Sequence, residues 1–395
     1  MKVSLNWLKE YVDIALSPEE LGHVLTMAGL EVEGIEVVGQ NLDHILVARI
    51  LEVTPHPNAD RLSLCRVDTG TDVVQVVCGA PNAAEGVLAP LILPGGKLPD
   101  GTKIKEGRIR GEISKGMLLA EDEMGLTDDH TGIMILSESV TPGTPLSSLL
   151  SFPDWVFDVS ITPNRPDCAS VLGIAREIAA NTGKQLKSFE KGVDAKGPAV
   201  DGLTDVSVRD PDGCPRYAAA VVQDVCLKPT PFWMRYRLFQ SGVRSISNLV
   251  DVSNYVMLEM GQPLHAFDYD ELSENRIEVR RAEKGEVFTT LDGVKRELDP
   301  ETLLICDGEK PVALAGVMGG LNSEIHEKTK NILVESAFFD PITIRRGSKR
   351  LGLSTEASYR FERGADIGGV ISALNRALYF IDLLAGGVTA KGIMD

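Results

Sequence analysis

Positive charge is scarce in this sequence. Its 40 Lys+Arg stand against 57 Asp+Glu, a formal net charge of −17 over 395 residues. That balance argues against a protein coated in positive charge for non-specific nucleic-acid binding, but it leaves room for a local basic face. The six cysteines (Cys65, Cys78, Cys168, Cys214, Cys226 and Cys306) are scattered, and no two form a Cys-x-x-Cys pair. A zinc knuckle is thereby excluded, and reduced thiols in the cytoplasm are expected. The N-terminal MKVSLNWLKEYVDI carries Lys9 and Glu10 where a signal peptide needs its apolar core. No apolar run approaches the ~18 residues of a membrane span, so no membrane partner is expected. Internal repeats and low-complexity tracts are absent as well. Hydrophobic residues at 43% and charged residues at 25% instead describe a folded globular chain, which excludes disorder, a collagen-like fibre and a disulfide-stapled miniprotein. At ~150 residues per domain, the length allows two or three.

Local signals divide the chain. Ser17-Pro18-Glu19-Glu20 predicts a helix start with Ser17 as N-cap, Pro18 at the first helical position and Glu20 closing a capping box. Leu21, Val24, Leu25 and Ala28 then share a helical face that ends at Gly29, and Glu31–Val38 alternates like a strand. Residues 39–150 read as β-rich, with apolar runs at Ile45–Val53 and Val73–Cys78. Turn signals at 55–58, 69–70, 94–96 and 99–101 separate them. An OB-fold barrel fits that length. Val171, Ile174, Ala175 and Ile178 form a stripe stopped by Gly183, and residues 184–204 are the best linker candidate. Residues 205–395 are mixed α+β. Helices are predicted from Thr230-Pro231 to Gly242, over Asn248–Met260, and along Val370, Ala373, Leu374, Ala377, Ile381 and Leu384. Hairpin turns are expected at Asp292-Gly293 and Asp307-Gly308. The expected fold is therefore α+β multidomain. A small N-terminal α+β unit (1–38 plus 151–190) accepts an OB-fold barrel (39–150) as an insertion, and a mixed α+β domain (205–395) follows.

Basic residues concentrate in two places. Residues 97–115 hold Lys97, Lys103, Lys105, Arg108, Arg110 and Lys115 against three acids. Residues 342–363 hold Arg345, Arg346, Lys349, Arg350, Arg360 and Arg363 against two. Each cluster is either a phosphate contact or a solvated face. His56-Pro57-Asn58-Ala59-Asp60 reads as a structured loop, and with no second ligand cluster no metal site is expected. Ala315-Gly316-Val317-Met318-Gly319-Gly320 is either a close backbone approach to a ligand or a tight turn. It lacks the Lys-Ser/Thr of a phosphate loop. His265 near Phe267 reads more readily as a hydrogen-bonded core histidine than as a catalyst. Glu335, inside Ile332–Phe339, is on an exposed strand face or is buried with a partner.

Four segments taken together resemble bacterial phenylalanyl-tRNA synthetase β subunits in their N-terminal half. They are MKVSLNWLKEYVD (1–13), ITPNRPDCASVLGIAREIAA (161–180), NLVDVSNYVMLEMGQPLHAFD (248–268) and LGLSTEASYRFERGAD (351–366). HPNADRL, VVCGAPN and IRGEISKGML in the barrel are similar to that subunit's tRNA-binding OB module. The resemblance implies that 205–395 is an editing domain, hydrolysing Tyr misattached to the Phe tRNA. By that likeness Glu335 accepts the tyrosyl hydroxyl, and His265, in the loop with Pro263, orients the ester or water. Ser253 and Asn254 lie on the preceding helix, Ala315, Gly316 and Gly319 form a wall, and Thr355 and Ala357 line the opposite side. His265, Glu335 and Thr355 are the implied catalytic residues. Lys97, Lys103, Lys105, Arg108, Arg110, Lys115, Arg345, Arg346, Lys349 and Arg350 are candidate tRNA contacts. The implied partners are tRNA(Phe) and a synthetase α subunit, in an α2β2 assembly for the full-length protein. No cofactor is expected within this chain, and ATP and Mg²⁺ serve the complete synthetase.

The sequence also departs from the family. Ser253 stands where threonine is frequent, and 115–120 lacks a Cys-Ser pair common in related OB modules. The family's subunit is roughly twice as long, so a truncated portion is expected, one that does not aminoacylate alone. Two other functions stay open: a non-catalytic tRNA-binding and assembly module, and a free-standing aminoacyl-tRNA deacylase.

Overall fold

The computed structural model describes residues 1–136, 139–188 and 192–395. Residues 137–138, within the barrel expected at 39–150, and 189–191, within the linker expected at 184–204 and overlapping the end of the expected 151–190 segment, lie outside the described residues. The chain forms two compact units. One comprises Ser4–Asn6 and Gly34–Phe157, the other Met1–Val3, Trp7–Glu33 and Asp158–Asp395.

The smaller unit is an OB-type barrel. Strands β1 (Ile45–Pro55), β2 (Ser63–Asp68), β3 (Val73–Cys78), β4 (Leu88–Ile92) and β5 (Met117–Leu118) form one antiparallel sheet in the order β3-β2-β1-β4-β5. A register shift between Ile50 and Glu52 in β1 is the kind of bulge that lets a sheet curl. Closure comes from the segment before β5: the Lys115 amide donates to the Gln75 carbonyl (2.8 Å), and the Ser114 hydroxyl accepts from the Val77 amide (3.0 Å). Alternate residues such as Ala48, Ile50, Cys65, Val67, Val76 and Cys78 fill the interior, the period-two pattern of a half-buried sheet. The expected OB barrel is therefore present and nearly closed.

The larger unit carries helix α1 (Pro18–Met27), whose Ser17/Glu20 capping box forms as expected, and α2 (Val171–Thr182), which ends on left-handed Gly183. Its second part is built on two sheets. The first has the strand order β8-β13-β7-β14, with β7 (Arg216–Gln223), β8 (Leu264–Asp268), β13 (Ile332–Phe338) and β14 (Val388–Thr389). The second runs β6-β9-β10-β11-β12: β6 (Asp205–Val208), β9 (Arg276–Arg281), β10 (Leu303–Cys306), β11 (Pro311–Leu314) and β12 (Met318–Gly319). Tyr217, Val221, Phe267 and Leu333 from the first share a core with Ile277, Leu304, Val312 and Leu314 from the second. Both hairpin turns form where expected.

Five helices complete the unit: α3 (Phe232–Gln240), α4 (Asn248–Met260), α5 (Pro341–Leu351), α6 (Glu356–Phe361) and α7 (Val370–Ala385). The α4 stripe Leu249, Val252 and Val256 is buried as its spacing predicts. With the turn before it, α7 makes a 19-residue helical stretch, Ile367–Ala385, long and apolar enough by those two measures to cross a membrane. This corrects the expectation that no such run exists. Its middle is polar, however: Arg376 donates to the Glu259 carboxylate at 2.7 and 2.8 Å, and its apolar face is buried in the domain. It is read here as a core helix.

The sequence separates residues 1–38 and 151–190 from 205–395, whereas contacts group most of both in one unit. One buried ion pair and one half-exposed pair link the two stretches. Glu259 on α4 is fully buried, pairs with Arg376, and accepts the Tyr11 hydroxyl. Arg237 lies 5.3 Å from the Trp7 ring centroid and 5.6 Å from that of Trp233, donates to the Tyr255 hydroxyl (2.7 Å) and pairs with Glu10. Removing one member of a buried pair strands the other charge, which typically costs about 3–5 kcal/mol. Glu259→Ala is thus expected to lower the unfolding free energy of this unit by that order, and with it the denaturant midpoint. A Glu259→Ala protein as stable as the parent in urea titration would contradict this account.

Candidate functional site

Strand β13 runs antiparallel between β8 and β7, with His265 and Ala219 both opposite Glu335. Side chains alternate faces along a strand, so His265, Glu335, Ala219 and Tyr217 share the face turned toward the second sheet. That register sets a glutamate and a histidine at opposed positions on one face of the sheet. A cavity of about 330 Å³ opens beside them, lined mostly by apolar residues.

The cavity collects most of the residues singled out from the sequence. Ser253 and Asn254 on α4, Pro263, His265, Gly316, Gly319, Glu335, Thr355 and Ala357 all line it. Ala315 does not, and is corrected: it is buried in the core, with its amide held by the Leu303 carbonyl. His265 is corrected in placement, since it sits on strand β8 and not in a loop. Gly316 has φ +66°, and a Cβ there would meet Ile344, Phe339 and Phe361 at 3.0 Å. A Cβ on Gly319 would come within 2.7 Å of His265 Cε1 and 2.9 Å of Nε2. The turn is therefore present, and both glycines make room for neighbouring side chains of the wall.

Glu335 resolves to the buried alternative. One oxygen, Oε2, accepts a 2.9 Å hydrogen bond from the buried Tyr217 hydroxyl. Burial pushes its pKa up to about 8, with the Tyr217 bond pulling the other way. His265 is half-buried, its ring 4.5 Å from that of Phe267 and nearly perpendicular to it. Burial pushes its pKa down to about 4, so the imidazole is neutral at physiological pH. Thr355 is the N-cap of α6: its hydroxyl accepts from the Ser358 amide (3.0 Å) and donates to the Val317 carbonyl (2.9 Å). It ties the 355–361 wall to the glycine turn and has little hydrogen-bonding capacity left for a substrate.

Several wall residues have no distinctive sequence signal. Val250, Met257, Leu291, Met318 and Phe361 are apolar lining. Ile246 marks the mouth, 72% exposed. It is fixed by buried Asp251, which accepts from the Ile246 amide (2.9 Å) and from the Thr230 and Ser245 hydroxyls. Tyr217 was also missed. The only clue to it was an aromatic residue opening an apolar strand.

The basic clusters divide. Lys97, Lys103, Lys105, Arg108, Arg110 and Lys115 are all exposed on the barrel. The HPNAD turn braces the backbone at residues 109–110: His56 Nε2 donates to the Ile109 carbonyl (3.0 Å) while its Nδ1 accepts the Asn58 amide, and Asn58 Nδ2 donates to the Arg110 carbonyl (3.1 Å). On α5, Arg345, Arg346, Lys349 and Arg350 are exposed, with Arg350 paired to Asp299 (2.7 Å). Arg360 and Arg363 must be removed from the phosphate-facing set. Arg360 is buried, bonded to the Ala169 carbonyl and Glu356, and Arg363 stacks 3.7 Å from the Tyr359 ring centroid. Asp167, Cys168 and Glu177 gather as metal ligands would, but the Arg165 guanidinium bonds all three at 2.7–2.9 Å.

Glu335 links this site to folding stability. Below about pH 4.5 the carboxyl is protonated whether the chain is folded or not. As pH rises from there to about 8 the unfolded chain loses the proton while the folded site keeps it, so stability falls by up to about 1.4 kcal/mol per pH unit. Glu335→Gln removes that slope. Relative to the parent, its melting temperature should rise between pH 5 and 8, and parallel curves would refute the buried protonated carboxyl.

Comparison with known proteins follows the same division. Residues 45–145 match the family described as "Putative tRNA binding domain", and residues 213–386 match the B3/4 domain. The phenylalanine–tRNA ligase β subunit of Syntrophus aciditrophicus is 52% identical over 395 residues, covering all of this chain and 49% of that protein. That of Geobacter sulfurreducens is 51% identical with the same coverage. A solved N-terminal fragment of the Pyrococcus horikoshii phenylalanyl-tRNA synthetase β subunit aligns with 60% of this chain and 63% of its own at 17% identity, with a TM-score of 0.34, too distant to argue from. The chain spans about half the length of the curated relatives it matches. Carrying a tRNA-binding domain and a B3/4 domain, it aligns from end to end with the N-terminal half of phenylalanine–tRNA ligase β subunits.

Proposed function

We propose that this chain binds tRNA and edits it as part of a phenylalanine–tRNA ligase β subunit, hydrolysing Tyr misattached to tRNA(Phe). The observation that carries this is Glu335, the buried carboxyl among the residues that line a mostly apolar cavity. A pocket built for Phe rejects Tyr poorly, because apolar discrimination is worth only ~1–3 kcal/mol. A second pocket with a polar group placed for the para-hydroxyl discriminates far better, because Phe leaves that group unpaired.

In this reading the ring lies among the apolar wall residues and the hydroxyl meets Glu335. The ester lies toward Ser253, Asn254 and His265. The neutral imidazole of His265 can accept a proton from an attacking water or hold that water in line, and Gly319 leaves it the room to do so. A positioned water fits this arrangement better than a covalent nucleophile. ATP and Mg²⁺ belong to the complete synthetase, with the α subunit. Among the described residues the metal-like Asp167–Cys168–Glu177 cluster already holds a guanidinium.

In the complete α/β enzyme, Tyr-tRNA(Phe) should release tyrosine, and Glu335→Ala should cut the preference for Tyr over Phe by about ten-fold or more. The rate should show no histidine break between pH 5.5 and 7, given the low His265 pKa. Unaltered editing in a Glu335→Ala/His265→Ala double variant would dismiss the site. Binding of tRNA without deacylation would instead favour the assembly-module alternative.

The exposed barrel cations are proposed as tRNA contacts. Lys103→Glu with Arg108→Glu should weaken tRNA binding and flatten its dependence on salt. A filter-binding titration with unchanged slope would remove these residues from the interface.

A further inference from the structure

We propose that Tyr217 is a positioning residue for substrate discrimination: it engages one oxygen of Glu335 and leaves one for the substrate. The inference rests on the editing reading above and concerns how that site tells one hydroxyl from none. Tyr217 does not line the cavity, whereas Glu335 does. The phenol stands behind the carboxyl, diagonal to it across the β7–β13 pair, and both side chains are buried. A diagonal pair of this kind is within reach of a long aromatic side chain. Its hydroxyl donates to Oε2 at 2.9 Å, and the phenol is held un-ionised by its burial and by the carboxyl beside it.

A carboxyl held at one oxygen cannot rotate freely. Oε2 is engaged from behind, so Oε1 is left as the group facing the cavity. The neutral carboxyl can donate its proton to a phenolic oxygen or accept the phenolic proton. In either state it offers one directed hydrogen bond at one point. A tyrosyl ring uses it, and a phenyl ring leaves a buried polar atom unmatched. Without Tyr217 the carboxyl has no fixed plane. Water or a rotated carboxyl could then satisfy it when Phe is bound, and the penalty that excludes Phe shrinks.

The test is Tyr217→Phe in the complete α/β enzyme, with deacylation of Tyr-tRNA(Phe) and Phe-tRNA(Phe) compared by kcat/KM. The expected result is a fall of about ten-fold in the Tyr/Phe ratio, the worth of one buried hydrogen bond. The pH at which Tyr deacylation breaks should also move upward, because the Tyr217 bond favours the ionised carboxyl. A general loss of packing would not shift that break. In a Glu335→Ala background the same substitution should change the ratio no further. An unchanged ratio and break, or an undiminished effect in the Glu335→Ala background, overturns the proposal. If Tyr217→Phe does not fold, fluorotyrosine at position 217 serves instead: a stronger donor of the same shape should move the break downward, and an unmoved break overturns the proposal. If the parent enzyme releases no tyrosine, the editing reading itself has failed, an outcome distinct from a parent that edits and a variant that matches it.

Discussion

The pairing register of β13 governs the larger unit. Residues 332–338 lie between two antiparallel neighbours, with Glu335 opposite His265 on one side and Ala219 on the other. A slip of one residue would turn every side chain to the opposite face. Ser336, whose hydroxyl now donates to the Val370 carbonyl at the start of α7, would then stand in the cavity. Glu335 would point at the helices. The apolar residues Leu333 and Ala337 hold the register because they belong to the core shared by the two sheets. The polar chemistry of the site is thus positioned by hydrophobic packing on either side of it.

That arrangement sets two demands against each other. A carboxyl surrounded by apolar groups costs free energy unless it is paired or neutral. The fold meets part of this with one phenol and the rest by favouring the proton on Glu335. His265 is held neutral by its surroundings in the complementary sense. Burial moves the two groups in opposite directions, the acid up to about 8 and the base down to about 4, so each favours its uncharged form at neutral pH. Perturbation of this kind in a cavity marks functional sites more often than structural ones.

Much of this was legible in the residues. Ser17, Pro18 and Glu20 announce α1, Gly183 and Gly261 end their helices in the left-handed region, and Asp292-Gly293 turns its hairpin, because each of these depends on local backbone chemistry alone. The helix stripes were legible because burial follows the 3.6-residue period. What a residue meets across the fold was not. Tyr217 and Glu335 lie 118 positions apart, and no local pattern announces their bond. Arg360 and Arg363 look like the other cations of their cluster in sequence, yet a short helix turns one toward Ala169 and lays the other on Tyr359. Ala315 is separated from the cavity by a single residue of turn geometry. Resemblance supplied the Glu335, His265 and Thr355 roles, and the structure changes the meaning of Thr355 by showing where its hydroxyl is spent.

The braced loop on the barrel has a consequence of its own. His56 and Asn58 hold the carbonyls of Ile109 and Arg110, so the backbone beneath the basic side chains is ordered before any ligand arrives. An ordering entropy of ~1–2 kcal/mol for each backbone residue is then incurred during folding and not at encounter. Only the side chains of Arg108 and Arg110 have freedom left to lose. In a chain whose overall charge repels polyanions, it is a rigid, locally basic outpost.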